Sequence, residues 1–530
     1  MQKSEDHKEA QRGQISTPAP THGRGTSRAS AAERRFRWWR PEIVVFISNA
    51  CVMILELVAG RIIAPQVGVS LYTWTSVIGV VLAGMSLGNY LGGRLADRCA
   101  SRRLLGAVFL LGGIASLGIL AADTLAIAAR VEWPIILEIL VLIAVLFFPS
   151  AVILGLISPI VVKLAVQDLA RAGSTVGRIS AAGTAGSIVG TFATGFWLIA
   201  WLGTHAVVLG VAIVLLVVGL LFLVTGRVWH DAALAALVLL APLGVLWAGW
   251  TQSQCLRETN YFCIKVREDE RDGKAIRVLV LDRLVHSYSS LDDPTNLVYH
   301  YEQTYAELTG YQTARHASTR MLFIGGGGYT FPRYVEATYP ESAIDVIEID
   351  PEVTATAFEH LGLARDTRVR TFNEDARLYL AREPGERYDI IYGDAFNDFS
   401  VPYHLTTREF NERVRTWLSD DGLYVVNIID GALGRFLRAY VRTLQQTFEH
   451  VYVIPRLKDW RSVSRDTFVI AACNRALPMH AFPPGSRFAE GVLSPEELEA
   501  LLSEGELALL TDRHAPVEQM LAPVFLEMTE

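Results

Sequence analysis

A chain of 530 residues is too long for one ordinary domain. Apolar residues make up 51% of it and charged residues only 19%, the latter concentrated outside positions 41–250, the layout of a membrane half joined to a soluble half. The net charge of −7 gives no argument for nucleic acid, and five cysteines without metal-ligand spacing argue against a zinc site or a disulfide framework.

Residues 1–40 are rich in Ser, Thr, Pro, Gly and Arg and are expected to form a disordered basic tail. The tail ends in RRFRWWR, read as a cytoplasmic flank with Trp38 and Trp39 at the bilayer interface. Between 41 and 250 follow about seven apolar segments: 41–63, 73–95, 104–126, 133–165, 178–201, 204–225 and 231–250. Each reaches the ~20 residues that a helix needs to cross a bilayer. Pro149 and Pro159 predict a kink or break in the fourth. On the fifth, Gly183, Gly186 and Gly190 predict close helix packing.

Glu56 and Lys163 fall inside the segments, where a charge is either functional or held in a structural ion pair. The basic loops around Arg98–Arg103, Arg171–Arg178 and Arg227 share a side with the N-terminus. Seven crossings then carry everything after Trp250 to the other side, where Cys255 and Cys263 are candidates for a disulfide. A count wrong by one, at the long fourth segment, would leave the soluble half on the same side as the N-terminus.

After Trp250 short β-rich runs take over. A small antiparallel β section is expected over 256–290, then an alternation of strands and helices over 291–530 that predicts a mostly parallel, Rossmann-like sheet. Gly325, Gly326, Gly327 and Gly328 follow the first of these strands and precede a helix, so backbone can approach a ligand closely. Thr330 stands where a third spaced glycine would complete a dinucleotide fingerprint. Glu348 ends the next strand and suits ribose hydroxyls; Asp375, beside Ala376, suits an adenine amino group; Asp394 ends the fourth strand. The three acids are expected around one cavity. In the C-terminal segment, Ser494–Glu497 reads as a capping box and His514 as structural.

These residues carry a resemblance. From about Tyr261 to Val517 the chain resembles the spermidine synthase (polyamine aminopropyltransferase) family in LDRLVHS, VYHYE, IGGGG, VIEID, NEDA and YDIIYGDAF. With its apolar half it is similar to bacterial membrane-spanning members, whose first part is similar to half of a major-facilitator transporter. The resemblance implies a multi-pass protein of the bacterial inner membrane, with the lipid bilayer as a partner, a homodimer, and no metal. It implies aminopropyl transfer from decarboxylated S-adenosylmethionine to a polyamine such as putrescine. Gly325–Gly327, Glu348, Asp375 and Ala376 would hold the cofactor, His300 the amine, and Asp394 would accept the proton. Tyr299 and Tyr392 either flank the amine or belong to the core.

Three positions depart from the family. Gly328 replaces an Asp that favours the decarboxylated cofactor, His286 replaces a Gln, and Asp398 lies one residue past the second Asp of the catalytic loop, where Asn397 stands. Intact S-adenosylmethionine is therefore a second cofactor expectation. A methyltransferase and a non-catalytic polyamine-binding membrane protein are the alternatives.

Overall fold

The computed structural model describes residues 40–68, 70–121, 135–225, 227–271, 273–395, 401–505 and 508–526. The tail before Arg40, with Trp38 and Trp39, and the pair Asn397 and Asp398 lie outside the described residues.

Among the described residues seven helices are long and apolar enough to cross a membrane, as the sequence predicts. The first three are α1 (Pro41–Val67), α2 (Leu71–Cys99) and α3 (Arg102–Ile119). The fourth predicted segment is broken. α4 (Ile135–Gly155) contains Pro149, and α5 (Ile157–Ala165) begins after Leu156, because Pro159 has no N–H to bond back to Gly155. Then come α6 (Ala172–Ala193), α7 (Ile199–Leu202), α8 (Thr204–Leu223) and α9 (Val228–Trp247).

The expected glycine packing holds. A Cβ on Gly186 would lie 2.2 Å from the carbonyl oxygen of Phe46, and one on Gly190 would lie 2.6 Å from that of Ala50, so α6 and α1 run parallel in backbone contact. Lys163 takes the ion-pair alternative, with Nζ 2.8 Å from Asp97 Oδ1. Glu56 lies half-buried on α1.

The soluble half opens with an antiparallel sheet in the order β1 (Arg257–Glu258), β2 (Cys263–Arg271), β3 (Lys274–Leu281), β4 (Leu284–Ser290). α10 (His300–Thr313) leads into a seven-stranded sheet. Its strands are β5 (Arg320–Ile324), β6 (Ala343–Ile347), β7 (Arg370–Phe372), β8 (Tyr388–Gly393), β9 (Leu418–Asp430), β10 (His450–Pro455) and β11 (Asp466–Cys473). The order is β10-β11-β9-β8-β5-β6-β7: β5 to β9 run parallel, β11 is antiparallel to β9, and β10 is antiparallel to β11. α11 (Thr330–Thr338), α12 (Pro351–His360), α13 (Ala376–Tyr379), α14 (Arg408–Trp417) and α15 (Arg435–Leu444) connect or cover the strands. The near-continuous burial of β5, β6 and β8 is that of strands covered on both faces.

Register decides what meets at the sheet's carboxyl edge. Ile324 pairs with Ile347 and with Gly393, and Ile347 pairs with Phe372. Gly325, Glu348, Asn373 and Asp394 are therefore the residues that step off the sheet together.

A short segment joins the two halves. Cys255 and Cys263 form a disulfide with Cα atoms 5.3 Å apart. Within that loop the backbone carbonyls of Thr259 and Tyr261 accept from the Arg61 guanidinium of α1. Glu258 accepts from the backbone N–H of Thr204 at 2.7 Å, at the start of α8. Thr259 Oγ1 donates to Asp350 Oδ2 at 2.5 Å, on the side of the α/β sheet.

Candidate active site

An open cavity lies at the carboxyl edge of β5 and β8. Gly325–Gly328, His286, Ser287, Tyr301, Glu302, Asp394 and Asn427 are on its wall. The glycine turn is left-handed at Gly325 and Gly327, with φ of 98° and 48°. A Cβ on Gly325 would come within 2.4 Å of the carbonyl oxygen of Asp394, so the turn and the end of β8 touch through backbone.

Asp394, the first residue past β8, lines the cavity. Its Oδ1 accepts from Asn427 Nδ2 at 3.0 Å, and the residue before Asn427, Val426, is the register partner of Gly393. Burial pushes its carboxyl up to about 6, against smaller opposing hydrogen bonds from Asn427 and Tyr301. A carboxylate that titrates near neutrality suits a general base.

Glu348 stands behind the turn rather than on the cavity wall. Its Oε2 accepts from the amides of Gly326 at 2.8 Å and Gly327 at 3.3 Å, and its Oε1 from that of Asp350 at 3.0 Å. Burial raises its pKa, and the three amides hold it down. Asp375 is not brought to this cavity. The register makes Asn373 the first residue beyond β7, and two residues later Asp375 caps α13, with Oδ1 accepting from Arg377 N at 2.8 Å and Leu378 N at 3.1 Å. Its Oδ2 lies 3.3 Å from His404 Nε2. Ala376 follows it as the first residue of α13.

His286 lines the cavity, its Nδ1 3.0 Å from the carbonyl oxygen of Leu284. His300 does not; it lies on the wall of a neighbouring cavity. The inserted Tyr301 is what intervenes: it faces both spaces. Tyr392 is core, fully buried with its hydroxyl 2.6 Å from Thr309 Oγ1, whereas Tyr299 lines the cavity. Among the described residues no group of three or more His, Cys, Asp or Glu side chains is arranged to hold a metal.

Glu302 is the residue that sequence reasoning missed. It is 2% exposed and faces the cavity from the first turn of α10. Burial, then the nearby Asp394, pushes its carboxyl up to about 8, while the Tyr299 amide opposes the shift. The VYHYE motif contained the signal, an acid two residues after the histidine, but the family pattern drew attention to the histidine instead.

Four buried polar atoms on this wall have no hydrogen-bond partner among the described residues: Ser287 Oγ, Glu302 Oε2, Tyr305 Oη and Asn427 Oδ1. Unpaired buried polar atoms are uncommon, and four converging on one cavity mark where a polar ligand fits.

No protein-family profile matches the sequence. Among curated proteins the chain is 40% identical over 110 residues to the polyamine aminopropyltransferase of Vibrio vulnificus, covering 20% of this chain and 37% of that protein. It is 24% identical over 484 residues to the polyamine aminopropyltransferase of Corynebacterium efficiens, covering 87% and 86%. That alignment is longer than the 280 residues after Trp250 (530 − 250), so it extends into the apolar helices. The eEF1A lysine and N-terminal methyltransferase of Mus musculus is 27% identical over 118 residues, 21% of this chain and 17% of that one.

Among solved structures, a probable spermidine synthase from Corynebacterium glutamicum has a TM-score of 0.42 at 23% identity, covering 47% of this chain and 93% of that one. Spermidine synthase from Thermotoga maritima has a TM-score of 0.33 at 16% identity, covering 46% and 89%. The chain spans about a third of the length of the first curated relatives it matches, 37% and 28%. Its sequence is thus similar to those of polyamine aminopropyltransferases, most strongly over a short segment and weakly over nearly the whole chain.

Proposed function

We propose that the protein is a membrane-anchored transferase that moves an aminopropyl group from an adenosyl sulfonium to a primary amine, releasing methylthioadenosine. The observation that carries this reading is the pairing of Asp394 and Glu302 in one cavity beside the glycine turn, with Glu302 Oε2 and three neighbouring polar atoms unsatisfied. The relatives named polyamine aminopropyltransferase support the same reaction class.

The chemistry follows from the residues. The donor supplies a carbon activated by positively charged sulfur. An amine arrives as ammonium, since its pKa is about 10. Asp394 orients it and takes its proton as the nitrogen lone pair forms the C–N bond, while the C–S electrons leave with sulfur. Glu302 supplies a second acceptor for the ammonium hydrogens. Gly325–Gly327 let the backbone approach the donor, and Glu348 fixes the amides of that turn from behind. Asp375 with Ala376 would reach the adenine only through backbone or through the carboxylate oxygen that faces His404. A single-turnover assay with putrescine and decarboxylated S-adenosylmethionine tests the reading: methylthioadenosine should form, and no thioether product at any amine concentration would refute it.

The membrane half is read as a seven-span anchor with the N-terminus in the cytoplasm. Every hydrogen bond from the soluble half to the helices described above falls at one end, at Arg61 of α1 and Thr204 of α8, and Glu518 accepts from Leu71 N at the start of α2. The basic residues Arg98, Arg102, Arg103, Arg171 and Arg227 fall at the other. The Cys255–Cys263 disulfide fits an oxidising compartment. The soluble half is therefore assigned to the side opposite the N-terminus, and a C-terminal reporter active only in the cytoplasm should stay silent. An active reporter would overturn the assignment.

A second reading is favoured by Gly328 alone. Without the family's acid the site admits intact S-adenosylmethionine, and methyl transfer becomes the competing reaction.

A further inference from the structure

A second cavity adjoins the first, and Tyr301 and Thr467 belong to both walls. Its lining is the more basic of the two: the first cavity has Asp394 and Glu302 with Arg465 on its wall. Arg456, Lys458 and Arg487 line the second beside His300, against a single lining carboxylate, Glu490. Glu490 is partly engaged, its Oε1 accepting from Gly485 N at 2.8 Å. Arg456 is partly offset by Asp466, whose Oδ1 lies 2.8 Å from Arg456 Nε. Lys458 and Arg487 form no ion pair among the described residues.

The two cavities together describe an occupant. A nitrogen at Asp394 and Glu302 sits between two carboxyl groups, and whatever extends past Tyr301 enters a more cationic space. A diamine would carry its second ammonium into like charge, an arrangement that disfavours binding. An amine that carries an anion meets opposite charge at both ends. We propose that the acceptor is a primary amine bearing an anionic group, a carboxylate or a phosphate, whose nitrogen lies in the first cavity and whose anion lies in the second. This rests on the reading of Asp394 and Glu302 as the amine site.

The test uses isosteres on the full chain in lipid nanodiscs. Dissociation constants are measured for 4-aminobutanoate, 2-aminoethyl phosphate and 1,4-diaminobutane, at low and high salt. The expected result is that an anionic amine binds about tenfold tighter than the diamine, with the advantage shrinking at high salt. Tighter binding of the phosphate points to a headgroup-like acceptor, and tighter binding of the carboxylate to an amino-acid-like one; either supports the proposal. The double variant Lys458→Glu with Arg487→Glu should reverse the preference while leaving donor binding unchanged.

Tighter binding of the diamine by the unaltered protein would overturn the proposal, as would a double variant that weakens all three ligands equally. These binding outcomes are separable from the proposed reaction. If the diamine binds best and is converted with release of methylthioadenosine, the transferase reading stands and this inference fails. If anionic amines bind best but no amine is turned over, this inference stands and the transferase reading fails.

Discussion

Ser287 occupies the space that a side chain at Gly328 would need. A Cβ on Gly328 would lie 1.8 Å from Ser287 Oγ and 2.6 Å from Ser287 Cβ, far inside contact distance. A glycine at 328 is thus built into the packing of β4 against the glycine turn. Gly328→Asp alone should lower the melting temperature and weaken binding of both donor forms. Combined with Ser287→Gly it should recover stability and favour decarboxylated over intact S-adenosylmethionine by about tenfold, the effect of one well-placed charge. Paired binding isotherms check this, and no change in donor preference in the double variant counts against it.

Asp394 sets the acid side of the pH profile. With its carboxyl pushed up to about 6 by burial, it is ionised and able to accept a proton above that pH and neutral below it. Turnover should fall about tenfold per pH unit below about 6. Asp394→Asn should cost roughly 10²–10⁴ in turnover, the usual value of a positioned general base. A variant with near-normal turnover would remove Asp394 from the chemistry.

Glu302 makes a stability prediction of definite sign. Its carboxyl rises from an ordinary 4.5 to about 8, through burial first and Asp394 second. Between those values the unfolded chain gives up the proton before the folded one does, so stability falls as pH rises through that window. Glu302→Gln removes this slope and should melt higher than the unaltered protein above pH 8, while binding amines more weakly. Melting curves from pH 5 to pH 9 in nanodiscs test it; parallel curves for the two proteins would contradict it.

Thr259 links the membrane helices to the donor side of the site. Arg61 holds the carbonyl of Thr259, Thr259 Oγ1 donates to Asp350, Asp350 N donates to Glu348, and Glu348 holds Gly326 and Gly327. Thr259→Val leaves the buried Asp350 carboxylate without that donor, a loss of about 1–3 kcal/mol at its own position. Part of this should reach the turn and weaken donor binding about fivefold, with amine binding unchanged. Calorimetry with each ligand separates the two, and unaltered donor affinity would show that the link ends at Asp350.

Much of this architecture was legible in the sequence because its signals are periodic. Apolar runs of about 20 residues gave the seven helices, and strand–helix alternation gave the sheet with Gly325 and Asp394 at its edge. Asp375 misled because its distance along the chain says nothing of register: Asn373 takes the position beside Glu348, and Asp375 is drawn into a cap. Glu302 and the second cavity were invisible for another reason. Their meaning lies in what burial and neighbouring elements do to ordinary charged residues, and α10, β10 and β11 are far apart in the chain.

The most direct measurement follows the transferred carbon. Donor labelled either in the S-methyl group or in the chain that becomes the aminopropyl group is incubated with the full chain and an amine, and the products are resolved by mass spectrometry. The account predicts that the chain label moves to the amine nitrogen while the methyl label stays on methylthioadenosine. Methyl label on the amine, with the chain label left on the sulfur, would contradict it.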